Sequence, residues 1–406
     1  MDDGSHLLST KEAARRLGVK PETLYAYVSR GLLEPRTRAG RRGSFFEPAD
    51  VARLAERGRS GGSGPRPALR IESAVTLLED DRYHYRGFDP CALAGEHRFE
   101  AVAELLWTGT LPEALPNWQP DMAAVKIARR MLAALPGGAL PLDHMRVACA
   151  ALGTSDRLRF DMRPEAVQAT ARRTIAGMVE AVSPLRAPRR SGDGSLAETL
   201  WRRLSPKRPT RERLAALESA LILLADHELA ASTFAVRVAA SFRADPDAAL
   251  GVGLGVLSGA FHGGGSLYAE ELLAEIDQQG SAEEVVGEWL RRGQRIPGFG
   301  HAVYEREDPR AAVLLERVRD ASPGAGAVRA VDALLDVARS RALPLVNVDL
   351  ALAALTQSFG MLRGAGEAIF AVARSAGWIA HTLEEYRSRS PLRLRAVYTG
   401  PRPSAD

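Results

Sequence analysis

Apolar residues recur at helical spacing over most of the chain. Leu214, Leu217, Leu221 and Leu224 keep one helix face apolar, as do Ile369, Val372, Ala376, Ile379 and Leu383. Phe99, Ala103 and Trp107 repeat the interval and read as core. Neither a run of alternating strand positions with turn signals nor a fixed-period repeat is found, so sandwiches, barrels and solenoids fit poorly. A mainly α fold is expected. Gly58 to Pro67 (GRSGGSGPRP) is unpatterned and marks an interdomain linker. Pro184 to Ser195 also interrupts helical patterning and reads as a surface loop.

Before the linker the pattern changes. Ser9-Thr10-Lys11-Glu12 has capping-box spacing, which predicts a helix running to about Leu17, where Gly18 ends it. Pro21 suits the first turn of a second helix, Pro21 to Arg30, closed by Gly31. Two short helices about a tight turn have helix-turn-helix spacing, in which the second helix enters the major groove. Lys20, Thr23, Tyr25, Tyr27 and Arg30 are then the candidate DNA contacts. Arg36, Arg38, Arg41 and Arg42 follow in a loop with no acid among them, suited to a wing against phosphates. Residues 1–60 hold twelve Lys and Arg against eight Asp and Glu, a modest footprint that asks for a dimer on specific DNA. The stretch from STKEAARRLGVKPETLYAYVSRGLL to FFEPADVARLAERG resembles winged helix-turn-helix domains of the mercury-resistance-regulator and excisionase type. A helical module for protein contacts is the alternative.

Composition narrows the classes. A chain of 406 residues suggests about two or three domains. Its 46% hydrophobic and 26% charged residues are those of a folded protein. Cys91 and Cys149 cannot build a disulfide framework and belong to no metal-ligand spacing, which fits a reducing cytoplasm. The N-terminus lacks a basic segment followed by an apolar one, and apolar runs such as Ala220 to Ala225 are too short to span a bilayer. Neither export nor membrane insertion is expected. The net charge of +4 is mild.

Chemistry gathers in four places. His227 lies in LADHELAAST, His262 in SGAFHGGGS, His301 in PGFGHAVYEREDPRA and Asp349 in LVNVDLAL. Each alone is explained by packing, and Asp349 could simply cap a helix; together they need a common explanation. Forming a carbanion beside a thioester requires a base and donors to the enolate oxygen. Asp349, lifted in pKa by Val346, Val348 and Leu350, suits the base, and a neutral histidine suits the donor. A second histidine can polarise a ketone under attack. A dicarboxylate partner needs planar bidentate cations, for which Arg310, Arg374 and Arg393 are candidates. Glycines beside His262 and His301 let backbone amides approach a ligand. With no HxxxH or CxxC pair, no metal and no cofactor are expected.

From IESAVTLLEDDRYHYRGFDPCALAGEHRFEAVAELLWTGTLP through LADHELAASTFAVRV, LSGAFHGGG, IPGFGHAVYEREDPRA, NVDLALA and ARSAGWIAHTLEEYRSRSPLRLRAVYTGP, the chain resembles the citrate synthases in the family's motif order. The resemblance implies a large helical domain (68–263 and 362–406) and a small helical domain (264–361) that closes over acyl-CoA, preceded by the winged domain (1–60) and linker (61–67). It implies Asp349 as the base, His262 as the enol stabiliser and His301 as the group that bonds the oxaloacetate carbonyl and protonates the alkoxide. His227, Arg310 and Arg374 match oxaloacetate contacts, and Arg393 resembles the arginine supplied by the other subunit of a homodimer. Ile296, Pro297, Gly298, Phe299, Gly300 and Val303 should lie near CoA. Ala230 stands where the family usually has Asn, Ala260-Phe261 where it has Pro-Leu, and Gly264-Gly265-Ser266 where it has Gly-Ala-Asn. The activity implied is condensation of acetyl-CoA with oxaloacetate to citrate, or of propionyl-CoA to 2-methylcitrate. The second reading is a DNA-binding regulator that uses a synthase-like domain to sense metabolites. Asp349 separates them, because a sensor has no need of a proton-abstracting base.

Overall fold

The computed structural model describes residues 8–17, 19, 24, 27–28, 33, 35–38, 41–48, 50–51, 71–116, 118–186, 194–259, 262–388 and 390–393. The chain divides into two compact units, Met1–Glu72 and Ser73–Asp406.

In the first unit, β1 (Leu8–Ser9) leads into α1 (Thr10–Leu17), followed by β2 (Arg36–Arg38) and β3 (Arg41–Phe46). The strands form an antiparallel sheet in the order β1-β3-β2, with Leu8 opposite Phe46 and Arg36 opposite Phe45. The capping box is reciprocal. Glu12 Oε2 accepts from the Ser9 amide at 2.8 Å, and the Ser9 hydroxyl lies 3.4 Å from the Glu12 amide. Ala13, Ala14, Leu24, Leu33, Phe46 and Val51 bury one another, and Tyr27 and Val28 pack against them. Leu24, Tyr27 and Val28 are helical, as expected of the second helix. Arg36, Arg38, Arg41 and Arg42 are not in a loop: they occupy β2 and β3, whose antiparallel pairing turns the expected wing into a hairpin.

The second unit opens with a hairpin the sequence reading missed, β4 (Thr76–Glu79) and β5 (Arg82–Tyr85). Its turn residues Asp80 and Asp81 both have positive φ, 51° and 59°, a geometry usually announced by Asn-Gly or Asp-Gly. Helices follow: α2 (Pro90–Glu96), α3 (Phe99–Thr108), α4 (Met122–Leu132), α5 (Pro141–Ser155), α6 (Pro164–Ala181), α7 (Leu196–Leu204), α8 (Arg211–Leu223), α9 (Ala231–Ser241) and α10 (Pro246–Leu257). Next come α11 (Gly265–Gln279), α12 (Ala282–Arg291), α13 (Pro309–Ala321), α14 (Gly326–Ser340), α15 (Val348–Ser358) and α16 (Ala365–Arg387). The stretch from Pro184 to Ser195 lies between α6 and α7; residues 187–193 of it are outside those described.

Helix α16 organises the core. It is buried on all sides from Ala365 to Leu383, with α3, α5, α6, α8, α9, α10, α11 and α15 packed against it. Close approach depends on missing side chains: a Cβ on Gly253 of α10 would lie 2.6 Å from the Trp378 ring. Phe99, Ala103 and Trp107 are buried as expected. The second sheet contributes Tyr83 and Tyr85, and Tyr85 Oη donates to the Asp226 carbonyl at 2.9 Å. That bond ties the hairpin to the turn before α9.

Candidate active site

One cavity of about 440 Å³ gathers His227, His262, His301, Arg310, Asp349 and Arg374. Each arrives from a different stretch of chain. His227 sits in the turn between α8 and α9, and its neighbour Glu228 holds a strained φ of 52°. The Asp226 carboxylate secures that turn by accepting from Thr76 Oγ1 at 2.6 Å and from the Glu228 amide at 3.2 Å. His227 Nε2 lies 2.9 Å from Tyr304 Oη. Burial foremost, then Arg310 and Arg374, holds its pKa well below the usual imidazole value, so the ring is neutral.

His262 follows α10. Its Nε2 lies 2.7 Å from Ser232 Oγ, which also receives the Trp378 indole N–H at 3.3 Å. The indole can only donate, and with Ser232 giving its own hydrogen to Nε2 the imidazole proton is on Nδ1. Burial, then Arg374, lowers the His262 pKa to about 4. The result is a neutral donor.

His301 stands on the loop between α12 and α13. Phe299 bridges Val346, the Gly300 amide donates to the Leu345 carbonyl at 2.7 Å, and the Asn347 side chain donates to the Gly300 carbonyl at 3.0 Å. Gly298, at φ 84°, has no room for a Cβ, which would meet Leu350 at 2.7 Å. His301 Nδ1 accepts from the amides of Val303 at 3.0 Å and Tyr304 at 3.2 Å, which puts its proton on Nε2. Burial, then Arg310, lowers its pKa to about 4. Nε2 faces Arg310 Nη2 at 3.1 Å. Two donors thus confront one another, and an acceptor arriving with a substrate would satisfy both.

The arginines differ. Arg310 forms a buried bidentate pair with Asp308, at 2.9 and 2.8 Å, and Asp308 also accepts from the Val348 amide at 3.0 Å. Arg374, 1% exposed, donates from Nε to the Leu224 carbonyl at 2.9 Å and lies over the Phe370 ring. No carboxylate among the described residues comes within 4.0 Å of its guanidinium. Burial, the largest influence, lowers its pKa, and the buried Asp226 carboxylate opposes the fall. A buried cation without a carboxylate in hydrogen-bond contact is costly, and a ligand that supplies one relieves the cost.

Asp349 occupies the first turn of α15, which is capped by Asn347 rather than by Asp349 itself. Its carboxylate accepts no hydrogen bond among the described residues and packs so closely on α11 that a Cβ at Gly265 would meet Oδ2 at 2.5 Å. Burial raises its pKa to about 6, Asp308 adds to the rise and Arg310 opposes it. A half-buried carboxylate titrating near neutrality can both take and return a proton.

Other expected positions fall elsewhere. Gly300 and Val303 line the cavity; Ile296 is core, and Pro297, Gly298 and Phe299 do not line it. Arg393 is exposed and is not among the residues lining the cavity of its own chain. Lys20, Thr23, Tyr25 and Arg30 lie outside the described residues, Tyr27 packs on the first unit's core, and Arg36 is exposed on β2. His381, given no role from sequence, is fully buried, with Nε2 3.4 Å from Asp226 and Nδ1 3.1 Å from Arg237. Sequence reasoning also missed Ser232, Tyr304 and Asp308. Only Asp308 carried a signal, two residues before an arginine at the start of a helix. Among the described residues no three His, Cys, Asp or Glu stand together as metal ligands.

Comparison with known proteins gives two family matches, to "Citrate synthase, C-terminal domain" over residues 64–395 and to "Helix-turn-helix domain" over residues 7–59. "Citrate synthase 2" of Bacillus subtilis is 33% identical over 357 residues, covering 83% of this chain and 95% of that protein. A "2-methylcitrate synthase" of Mycobacterium tuberculosis is 31% identical over 332 residues, covering 78% and 84%. The crystal structure of citrate synthase from Thermotoga maritima superposes with a TM-score of 0.66 at 29% identity, over 82% of this chain and 94% of that one. A ternary complex of the Thermoplasma acidophilum citrate synthase with carboxymethyl coenzyme A and oxaloacetate, at 24% identity, shares the fold with a TM-score of 0.69 over 84% and 96%.

Proposed function

The chain belongs to the citrate synthase family and is a citrate synthase-like acyltransferase, and from that premise we propose that it condenses acetyl-CoA or propionyl-CoA with oxaloacetate in the cavity of His262, His301 and Asp349. Asp349 takes a proton from the carbon beside the thioester. His262 Nδ1–H bonds the thioester oxygen as it becomes the enol. That carbon then attacks the oxaloacetate ketone, whose oxygen sits between His301 Nε2–H and Arg310 and takes the His301 proton as the bond forms, and the proton held by Asp349 returns through solvent to restore the His301 imidazole. Water hydrolyses the resulting thioester and releases the CoA thiol. Arg374 and Arg310 hold the carboxylates, and His227 and Tyr304 close that side of the pocket.

Residues 264–361 are the segment we assign to closure over acyl-CoA, with the Ile296–Gly300 backbone and Val303 along the CoA path. Closure excludes water until condensation is complete. Arg393 is assigned across a homodimer, which makes the dimer the active form in the cytoplasm. No described helix is long and apolar enough to cross a membrane.

The observation that carries this reading is Asp349, a carboxylate without a partner and with its pKa raised to about 6, in one cavity with two neutral histidines. The test follows free CoA from acetyl-CoA and from propionyl-CoA, with and without oxaloacetate, on wild type and Asp349→Asn. Oxaloacetate-dependent release that the substitution abolishes supports the enzyme and ranks its acyl substrates. No release from folded dimer transfers the site to metabolite sensing. The helix-turn-helix match favours a second capacity, DNA binding by the first unit, which a mobility-shift assay with and without oxaloacetate and acyl-CoA tests.

A further inference from the structure

A second cavity, of about 240 Å³, lies among the start of α5, the end of α10, α11 and the first turn of α16. Leu140, Leu142, Leu267 and Tyr268 give it apolar walls, and Asp143 and Glu367 are its acids.

Glu367 is the anomaly. A glutamate three residues after a helix cap usually turns back to bond the cap amide. Here that place is taken by Glu270, whose Oε2 lies 3.3 Å from the Gly364 amide. Displaced from capping, Glu367 lines the cavity while only 5% exposed, and it has no hydrogen bond or ion pair among the described residues. Arg363, whose charge acts on Glu367, is itself engaged by Glu271 at 2.8 Å. Asp143 is partly satisfied, by the Leu140 amide at 3.1 Å and by Arg146 at 3.5 Å.

We propose that this cavity binds an organic cation, an alkylammonium or guanidinium group on an apolar stem, with Glu367 as its counter-ion. Two carboxylates are too few oxygen donors for a divalent metal, and leucine walls suit methylenes better than a hydrated ion. A planar or tetrahedral cation entering beside Glu367 supplies the hydrogen bonds its carboxylate lacks and offsets the cost of burying it. Gly264 lines this cavity and ends the turn that begins at His262, so an occupant touches the segment carrying a proposed active-site histidine.

The cation has two sources, a free amine or a lysine or arginine of a second copy of the chain. Calorimetry of the full chain with agmatine and with cadaverine tests the first, and light scattering of wild type and Glu367→Gln tests the second. If a free amine is the ligand, one of the two probes binds and Glu367→Gln weakens it by about tenfold or more, the loss of a charge-assisted bond. If a second copy supplies the cation, wild type binds neither probe and the variant dissociates at concentrations where wild type does not. No binding together with an unchanged oligomer overturns the proposal. Should Glu367→Gln not fold, Asp143→Asn at the cavity edge is read in the same two assays, with a smaller change in the same direction.

Discussion

Two sets of side chains share one cavity and are built on opposite terms. His301, Tyr304, Asp308 and Arg310 are tied to one another or to backbone before any ligand arrives, Arg310 by two bonds to a fully buried aspartate. Asp349 and Arg374, from α15 and α16, have open valences: one carboxylate accepts nothing, and one guanidinium has no hydrogen-bonded counter-ion, Asp226 acting on it only from beyond 4.0 Å. The first set fixes geometry at little cost because each charge is neutralised locally. The second keeps charges without hydrogen-bonded partners, a cost to folding that a substrate relieves. Orientation is therefore built into one side and chemistry into the other.

Asp349→Asn breaks this contrast most directly. With the base gone, kcat should fall by about 10³-fold, within the range for losing a positioned acid or base, while KM for oxaloacetate stays near wild type. The same substitution should stabilise the fold at neutral pH. A carboxylate whose folded pKa is raised to about 6 from 3.8 binds more protons folded than unfolded between those values, so its charge costs stability as pH rises through about 6. Thermal unfolding at pH 8 should show Asn ahead by on the order of 2 kcal/mol, and the gap should close below pH 4. Activity runs the other way. In wild type kcat should rise through about pH 6 as Asp349 ionises and stay level to pH 8, since His262 and His301, lowered to about 4, are neutral throughout. A variant that is both slower and no more stable would refute the idea that the open valence is costly.

Arg374→Leu sharpens the comparison from the cationic side. Oxaloacetate should lose its principal counter-ion, and KM should rise by about 100-fold, close to 3 kcal/mol. Folding should suffer less than from the loss of a hydrogen-bonded ion pair, because the guanidinium has one backbone hydrogen bond to lose and acts on buried Asp226 only from beyond 4.0 Å. Asp308→Asn makes the control: it breaks the paired set and should cost stability on the order of 3 kcal/mol. If Arg374→Leu unfolds the protein as readily as Asp308→Asn, the two sets are not different in kind.

How much of this was legible follows from where the information resides. The helices were readable because α8 and α16 repeat apolar residues at helical spacing, and the capping box at Ser9 and Glu12 needs only local sequence. The β4–β5 hairpin was not, since four-residue strands joined by Asp80-Asp81 carry neither length nor a glycine signal. His262, His301 and Asp349 were found through motifs, and they do share a cavity. Ser232 and Tyr304 were not, because their partners His262 and His227 are 30 and 77 residues away. The lack of a contacting ion-pair partner at Arg374 and Glu367 is likewise invisible in sequence, being a statement about what does not come within bonding distance.

Ser232→Ala tests one such long-range partner. Without the hydroxyl, His262 Nε2 loses its donor, the proton is no longer held on Nδ1, and Trp378 loses its acceptor. We expect kcat to fall about tenfold with KM for acyl-CoA unchanged, as for a bond that matters only when the enolate forms.

The smallest effect concerns the α9 cap. Ala230 stands at the N-cap with no side chain to accept an amide, although the capping positions of α7, α8, α10 and α12 are filled by Ser195, Thr210, Asp245 and Ser281. Alanine is among the poorest residues there, and Ala230→Ser should stabilise the larger unit by about 1 kcal/mol in chemical denaturation. The same residue lines the active-site cavity, beside Ala231 and within reach of an anionic substrate. A first-turn amide freed by the missing cap can serve that substrate instead, and then the serine would stabilise the protein while raising KM for oxaloacetate severalfold. Stabilisation with KM unmoved would assign Ala230 to the paired set, as a neutral part of the wall. A rise in KM places the α9 terminus with Asp349 and Arg374, among the groups left open for the ligand to complete.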